Sequence, residues 1–199
     1  MWCICGQQFC RAAGYIFYAS WFPTFLQETH GVTVSKSGYL TAMTIIAALF
    51  GSLLGGTVSD KILAVTGNRR LARQGVAIVG MFLCAMFIFA AWFVDDPVLA
   101  VSIISLGSFC ASLAGPSGYT VTIEMGGPHV ATVFATMNMA GNIGAAIFPI
   151  LVPYLLKLPG GWNSVLFVFG GLYLAAMVFW ILLKSEGTVF DSAETSVAT

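Results

Sequence analysis

Polar and apolar residues alternate along this chain in blocks, not in short periods. Six apolar stretches, each near the roughly 20 residues needed to cross about 30 Å of hydrocarbon, are separated by short polar connections. They run over 2–26, about 39–58, 74–94, about 97–122, about 130–156 and about 164–183. The first contains Arg11, the third carries no charge, and the fourth is interrupted by Gly115-Pro-Ser-Gly118. The one long connection is 60–73, and the tail 185–199 is polar, lightly acidic and reads as a disordered cytoplasmic segment. The predicted fold is all-α, a polytopic membrane domain over 1–184.

Composition agrees with that pattern. Hydrophobic residues make up 58% of the 199 residues and charged residues only 8%, too little polar surface for a water-soluble domain. A net charge of zero argues against nucleic acid as a partner. The five cysteines lie in apolar runs without metal-site spacing, so no metal or cofactor is expected. Basic residues set the orientation. Lys61, Arg69, Arg70 and Arg73 crowd one connection, and Lys184 ends the last span on that side; the other side has Lys36, Lys157 and the turn Asp95-Asp96-Pro97. The basic side, with both termini, is therefore assigned to the cytoplasm of an inner-membrane protein. Trp92, Trp162 and Tyr39 fall near span ends, where aromatic belts form. His30 and His129 read as solvated residues at opposite surfaces.

Small residues recur at helical spacing. Gly51 and Gly55 share a face of span 2, and Gly141 and Ala145 repeat that spacing in span 5; such faces let helix backbones approach closely. Spans 1 and 4 carry polar content, and spans 3 and 6 are plain. This is the arrangement of two three-helix units in opposite orientation.

Candidate chemistry lies in the polar residues inside spans. Arg11 sits nine residues into span 1, where a charge costs at least roughly 2.5–3.5 kcal/mol. Gln8, Arg11, Tyr15 and Tyr18 form one helical stripe that could hold a carboxylate; alternatively Arg11 snorkels or pairs with a carboxylate elsewhere. In span 4, Ser105, Ser108 and Ser112 precede Pro116 and Ser117, either as cavity-lining hydroxyls or as a packing kink. In span 5, Asn138 and Asn142 either bridge helices or hydrogen-bond a ligand. Asp60, Glu124 and the arginines 69, 70 and 73 form a charge relay that locks one conformation, or ordinary surface ions.

These residues carry a family resemblance. Gly55-Gly56-x-x-Ser59-Asp60-Lys61, followed by Thr66-Gly67-x-Arg69-x-x-x-Arg73, resembles the connection between helices 8 and 9 of major facilitator transporters. Thr136-Met-Asn138-Met-Ala-Gly141-Asn142-Ile-Gly144 with Pro149 resembles helix 11 of the anion:cation symporter branch, which includes sialic-acid, hexuronate, glucarate and galactonate carriers. Arg11-x-x-Gly14-Tyr15 with Trp21-Phe-Pro23-Thr-Phe-Leu26 resembles its helix 7. The resemblance covers nearly the whole chain. It implies the C-terminal six-helix half of a twelve-helix fold, with an N-terminal half as partner. The implied activity is non-enzymatic symport of an organic anion such as a sugar acid, coupled to a cation, the proton, by alternating access. The substrate would meet Arg11, Tyr15, Ser112, Ser117, Asn138 and Asn142, while Gly55, Asp60, Arg69, Arg70, Arg73 and Glu124 would serve the conformational gate. Lys61 stands where the family usually has Arg, and Glu124 where the branch often has Asp.

Two other readings compete. A half-transporter could act as a non-transporting assembly partner. Gly115-Pro-Ser117-Gly118 also resembles the nucleophile motif of rhomboid intramembrane proteases, but those need a histidine in the sixth span, and 164–183 contains none.

Overall fold

The computed structural model describes residues 1–183; Lys184 and the tail 185–199 lie outside the described residues. Among the described residues the chain is helical throughout. It runs α1 (Trp2–Ser20), α2 (Phe22–His30), α3 (Val34–Thr66), a π-helical turn (Leu71–Gly75), α4 (Val76–Ala91), α5 (Pro97–Gly126), a 3-10 turn (Gly127–His129), α6 (Val130–Leu156) and α7 (Trp162–Leu182). Four stretches are long and apolar enough to cross a membrane: Val34–Thr66, Leu71–Ala91, Pro97–Leu156 and Trp162–Leu182. The third comprises α5 and α6, separated at Gly127, whose φ is positive at 48°.

Three features depart from the sequence reading. The first apolar stretch is two helices, broken at Trp21, because Pro23 at the start of α2 has no N–H to continue the ladder. The 60–73 connection is mostly helix: α3 continues to Thr66, Gly67 ends it at φ 65° with its N–H on the Leu63 carbonyl, and Asn68 caps the next turn by accepting from the Leu71 N–H at 3.0 Å. Only Gly67 and Asn68 are non-helical, because polar residues that suggest a loop can equally clothe a helix projecting beyond the apolar layer. Finally, α5 runs through Pro116 without interruption; just beyond it the Thr120 and Thr122 hydroxyls bond back one turn, Thr120 donating to Pro116 O and Thr122 to Gly118 O.

Packing depends on small residues. A Cβ on Gly51 or Gly55 would collide with the Phe109 or Leu113 carbonyl oxygen of α5, one on Gly80 with that of Cys110, and one on Gly144 with that of Phe9 in α1. These glycines bring α3 and α4 onto α5, and α6 onto α1, at backbone contact. Between α3 and α5 a buried hydroxyl pair, Thr44 with Ser105 at 2.9 Å, adds a polar staple. Around α1, α2 and α7 an aromatic core of Phe17, Tyr18, Phe22, Phe25, Phe169 and Tyr173 fills the bundle interior. At the end away from the basic cluster, the Trp162 indole donates to Glu28 at 2.8 Å, and His30 donates to the Asp95 carbonyl at 3.1 Å. His30 is thus tied to the α4–α5 turn and is not a free surface residue.

Candidate functional site

A cavity of about 510 Å³ is walled by α1, α3 and α5. Its lining is Arg11, Ala12 and Tyr15 from α1, Ile45, Ile46, Ala48, Leu49 and Ser52 from α3, and Ser112 and Tyr119 from α5. Helical spacing produces this convergence: Ile45, Leu49 and Ser52 are at i, i+4 and i+7, as are Arg11 and Tyr15 at i and i+4. The result is one guanidinium and four hydroxyls set in aliphatic walls.

Arg11 is held in a defined pose. Its Nε and Nη2 both donate to Gln8 Oε1, at 3.3 and 3.2 Å. Gln8 is buried and therefore fixed. The bond occupies the side edge of the guanidinium and leaves its terminal Nη1–Nη2 edge without an acceptor among the described residues. Beside Nη1 lies Gly115: a Cβ built there would stand 3.8 Å from Arg11 Nη1 and 3.9 Å from Ser52 Oγ. The missing side chain makes a notch where α1, α3 and α5 meet. A terminal guanidinium edge can pair bidentately with a carboxylate, and the surrounding hydroxyls can both donate and accept.

The sequence-predicted residues divide accordingly. Arg11, Tyr15 and Ser112 come together in the cavity. Tyr18, placed on the same stripe by spacing, is instead buried in the aromatic core at 1% exposure. Ser117 is fully buried, and Asn138 and Asn142 are exposed on α6; none of the three lines the cavity. Ser52 and Tyr119 were not singled out by the sequence reading. Their signal was present in position: Ser52 falls on the Ile45–Leu49 stripe, and Tyr119 lies seven residues after Ser112.

The second cluster lies at the basic end. Asp60 Oδ1 and Arg73 Nη1 form an ion pair at 2.8 Å. The same Nη1 donates to Ser59 Oγ at 2.7 Å, and buried Ser59 donates to the Ala72 carbonyl at 2.8 Å. The pair therefore clamps the end of α3 to the start of the next helix. Arg70 belongs to a separate arrangement, donating through Nε to Gln74 Oε1 at 2.9 Å. Arg69 and Glu124 are exposed. Gly55 sits one turn before Ser59, pressed on α5.

An all-helical bundle with four stretches apolar enough to cross a membrane defines a multi-pass membrane protein, and comparison with known proteins supplies the family. The profile of the Major Facilitator Superfamily matches residues 4–197; the chain belongs to that superfamily. It is similar to the Probable sulfoacetate transporter SauU of Cupriavidus necator, 30% identical over 172 residues, which cover 86% of this chain and 40% of that protein. It is also similar to the Probable galactarate/D-glucarate transporter GudP of Escherichia coli, 26% identical over 180 residues, covering 90% and 40%. A D-galactonate transporter of Escherichia coli is 26% identical over 176 residues, covering 88% and 41%. The chain thus spans about 40% of the length of these relatives. It is a partial-length member of the Major Facilitator Superfamily.

Proposed function

We propose that this chain forms the substrate-binding C-terminal half of a secondary transporter for a small organic anion, with Arg11 as the carboxylate contact. The observation that carries the reading is the pose of Arg11: pinned by Gln8 on one edge, open on the other, and facing a cavity with four hydroxyls. The named substrates of the relatives are small organic anions, most of them rich in hydroxyls. Tyr15, Ser52, Ser112 and Tyr119 would hold the substrate's polar atoms. Asn138 and Asn142, exposed on α6, would approach the substrate only from the side where the N-terminal half docks.

The finer architecture belongs to the same proposal. α1–α2, α3 and α4 make one three-helix unit and α5, α6 and α7 the second, inverted unit. The packing supports this, since α3 meets α5 through glycines on α5 carbonyls and α6 meets α1 through Gly144 on an α1 carbonyl. Exchanging the two units turns one of these contacts into the other. Residues 1–184 would form the membrane domain, with the basic end and both termini cytoplasmic at the inner membrane.

Transport would proceed by alternating access, with the Asp60–Arg73 clamp closed in one state and released in the other. Among the described residues no carboxylate lines the cavity, so coupling to a cation, the proton, would fall to the partner half. In the full-length carrier Arg11→Ala should abolish anion uptake and weaken binding by about 10- to 150-fold, the roughly 1.5–3 kcal/mol of a hydrogen bond to a charged group. Membrane insertion should be unchanged. Uptake at the wild-type rate would overturn the assignment.

A further inference from the structure

A second pocket, of about 270 Å³, lies at the basic end and is lined by Asn68, Arg70, Leu71, Gln74, Gly75 and Ile78. Three of these residues belong to the π-helical turn, a local widening of the helix that often accompanies functional sites. Gln74 is only 2% exposed and is held at its amide nitrogen by the Leu183 carbonyl at 2.6 Å. Its Oε1 accepts from Arg70 Nε. Arg70 is therefore anchored through a buried residue to the end of α7, while its Nη groups have no acceptor among the described residues. Among the described residues no carboxylate lines the pocket, and the neighbouring Asp60 is already paired with Arg73.

The depth of this pocket identifies its ligand. The helical stretch Leu71–Ala91 has 21 residues, is apolar enough to cross a membrane and holds its one charge, Arg73, in its first turn; at 1.5 Å per residue it is about 31 Å long, close to the hydrocarbon thickness of about 30 Å. Arg70 immediately precedes it and so stands at headgroup level. From the pocket's own Leu71 and Ile78, a line of apolar side chains continues down the outward face through exposed Phe82 and Met86. A cation at phosphate depth above an apolar stripe matches a phospholipid in charge and in length. We propose that this pocket binds the headgroup phosphate of an anionic phospholipid, whose acyl chain lies along the Ile78–Phe82–Met86 face of α4. The lipid would brace the turn next to the Asp60–Arg73 clamp and join it to the end of α7 through Gln74.

Native mass spectrometry of the chain purified from its membrane in mild detergent tests this, with phosphatidylglycerol or phosphatidylcholine added back. The wild type should retain phosphatidylglycerol over phosphatidylcholine, and excess inorganic phosphate should not displace it. Arg70→Ala should lower phosphatidylglycerol occupancy about fivefold, the equivalent of the ~1 kcal/mol that one basic residue contributes at an anionic surface. Arg70→Lys should restore most of it, and Lys157→Ala, which removes a cation at the end of α6, should have no effect. Equal occupancy in wild type and Arg70→Ala, equal retention of the two lipids, or a lysine variant as weak as alanine would each overturn the proposal. Full displacement by inorganic phosphate would reduce the pocket to a free-phosphate site and overturn the lipid assignment.

Discussion

Gly55 and Gly56 are adjacent in α3, yet alanine at each should change stability in opposite directions. In both cases alanine removes the backbone-entropy penalty of glycine in a helix, worth about 1 kcal/mol. At Gly56 the new methyl would meet only Pro116 Cβ, at 3.9 Å, an ordinary contact, so the full gain of about 1 kcal/mol is expected. At Gly55 it would meet the Leu113 carbonyl oxygen, carbon and Cα. These are backbone atoms of a packed helix and cannot rotate away. Such overpacking costs about 1–3 kcal/mol, and an obstacle made of backbone belongs at the upper end. Subtracting the propensity gain leaves a net loss of about 2 kcal/mol. The two variants should then differ by about 3 kcal/mol, or roughly 6–12 °C in melting temperature at about 2–4 °C per kcal/mol for a chain of this size. Cys84 is fully buried in the core, so thermal melts in detergent can be followed with a thiol-reactive fluorophore. Gly55→Ala melting at or above the wild type would refute the claim that α3 and α5 meet at backbone contact.

Two further predictions concern the basic end. Ser59→Ala should destabilise the protein by about 1–3 kcal/mol, because it removes the donor to the buried Ala72 carbonyl and one acceptor of Arg73; an unchanged melting temperature would argue against that network. Asp60→Asn should slow transport by the full-length carrier while substrate binding in detergent is largely preserved. Asp60 is 69% exposed, far from the cavity lining, so an equal loss of binding would point to a structural role instead.

The membrane class and most helix positions were legible in the sequence because apolar length is a one-dimensional property. The fifth apolar stretch, 130–156, coincides with α6. What failed was local. Helical spacing placed Tyr18 with Arg11, but spacing says only that residues share a broad face; the edge of that face turns into the aromatic core formed with α7. Ser117 looked like a cavity hydroxyl because of the glycines and proline around it, yet its own side chain is fully buried away from the cavity that neighbouring Gly115 borders. Arg11 was legible because an intramembrane charge is costly enough to require a reason. Its orientation was not, since that depends on a buried glutamine one turn earlier. Ser52 was missed because a lone serine beside glycines reads as part of the small-residue seam.

One unbroken helix, α3, carries the cavity wall at Ile45, Leu49 and Ser52, the glycine contact at Gly51 and Gly55, and the ion-paired end at Asp60. Measured from the middle of the glycine contact, Ile45 is about 12 Å away along the axis and Asp60 about 10 Å the other way. A rigid α3 tilting about that contact would be a see-saw with nearly equal arms. Drawing the wall inward around a bound anion by 1 Å would swing the Asp60 end outward by a similar amount. Occupancy of the cavity and strain on the salt bridge would then be two readings of a single tilt.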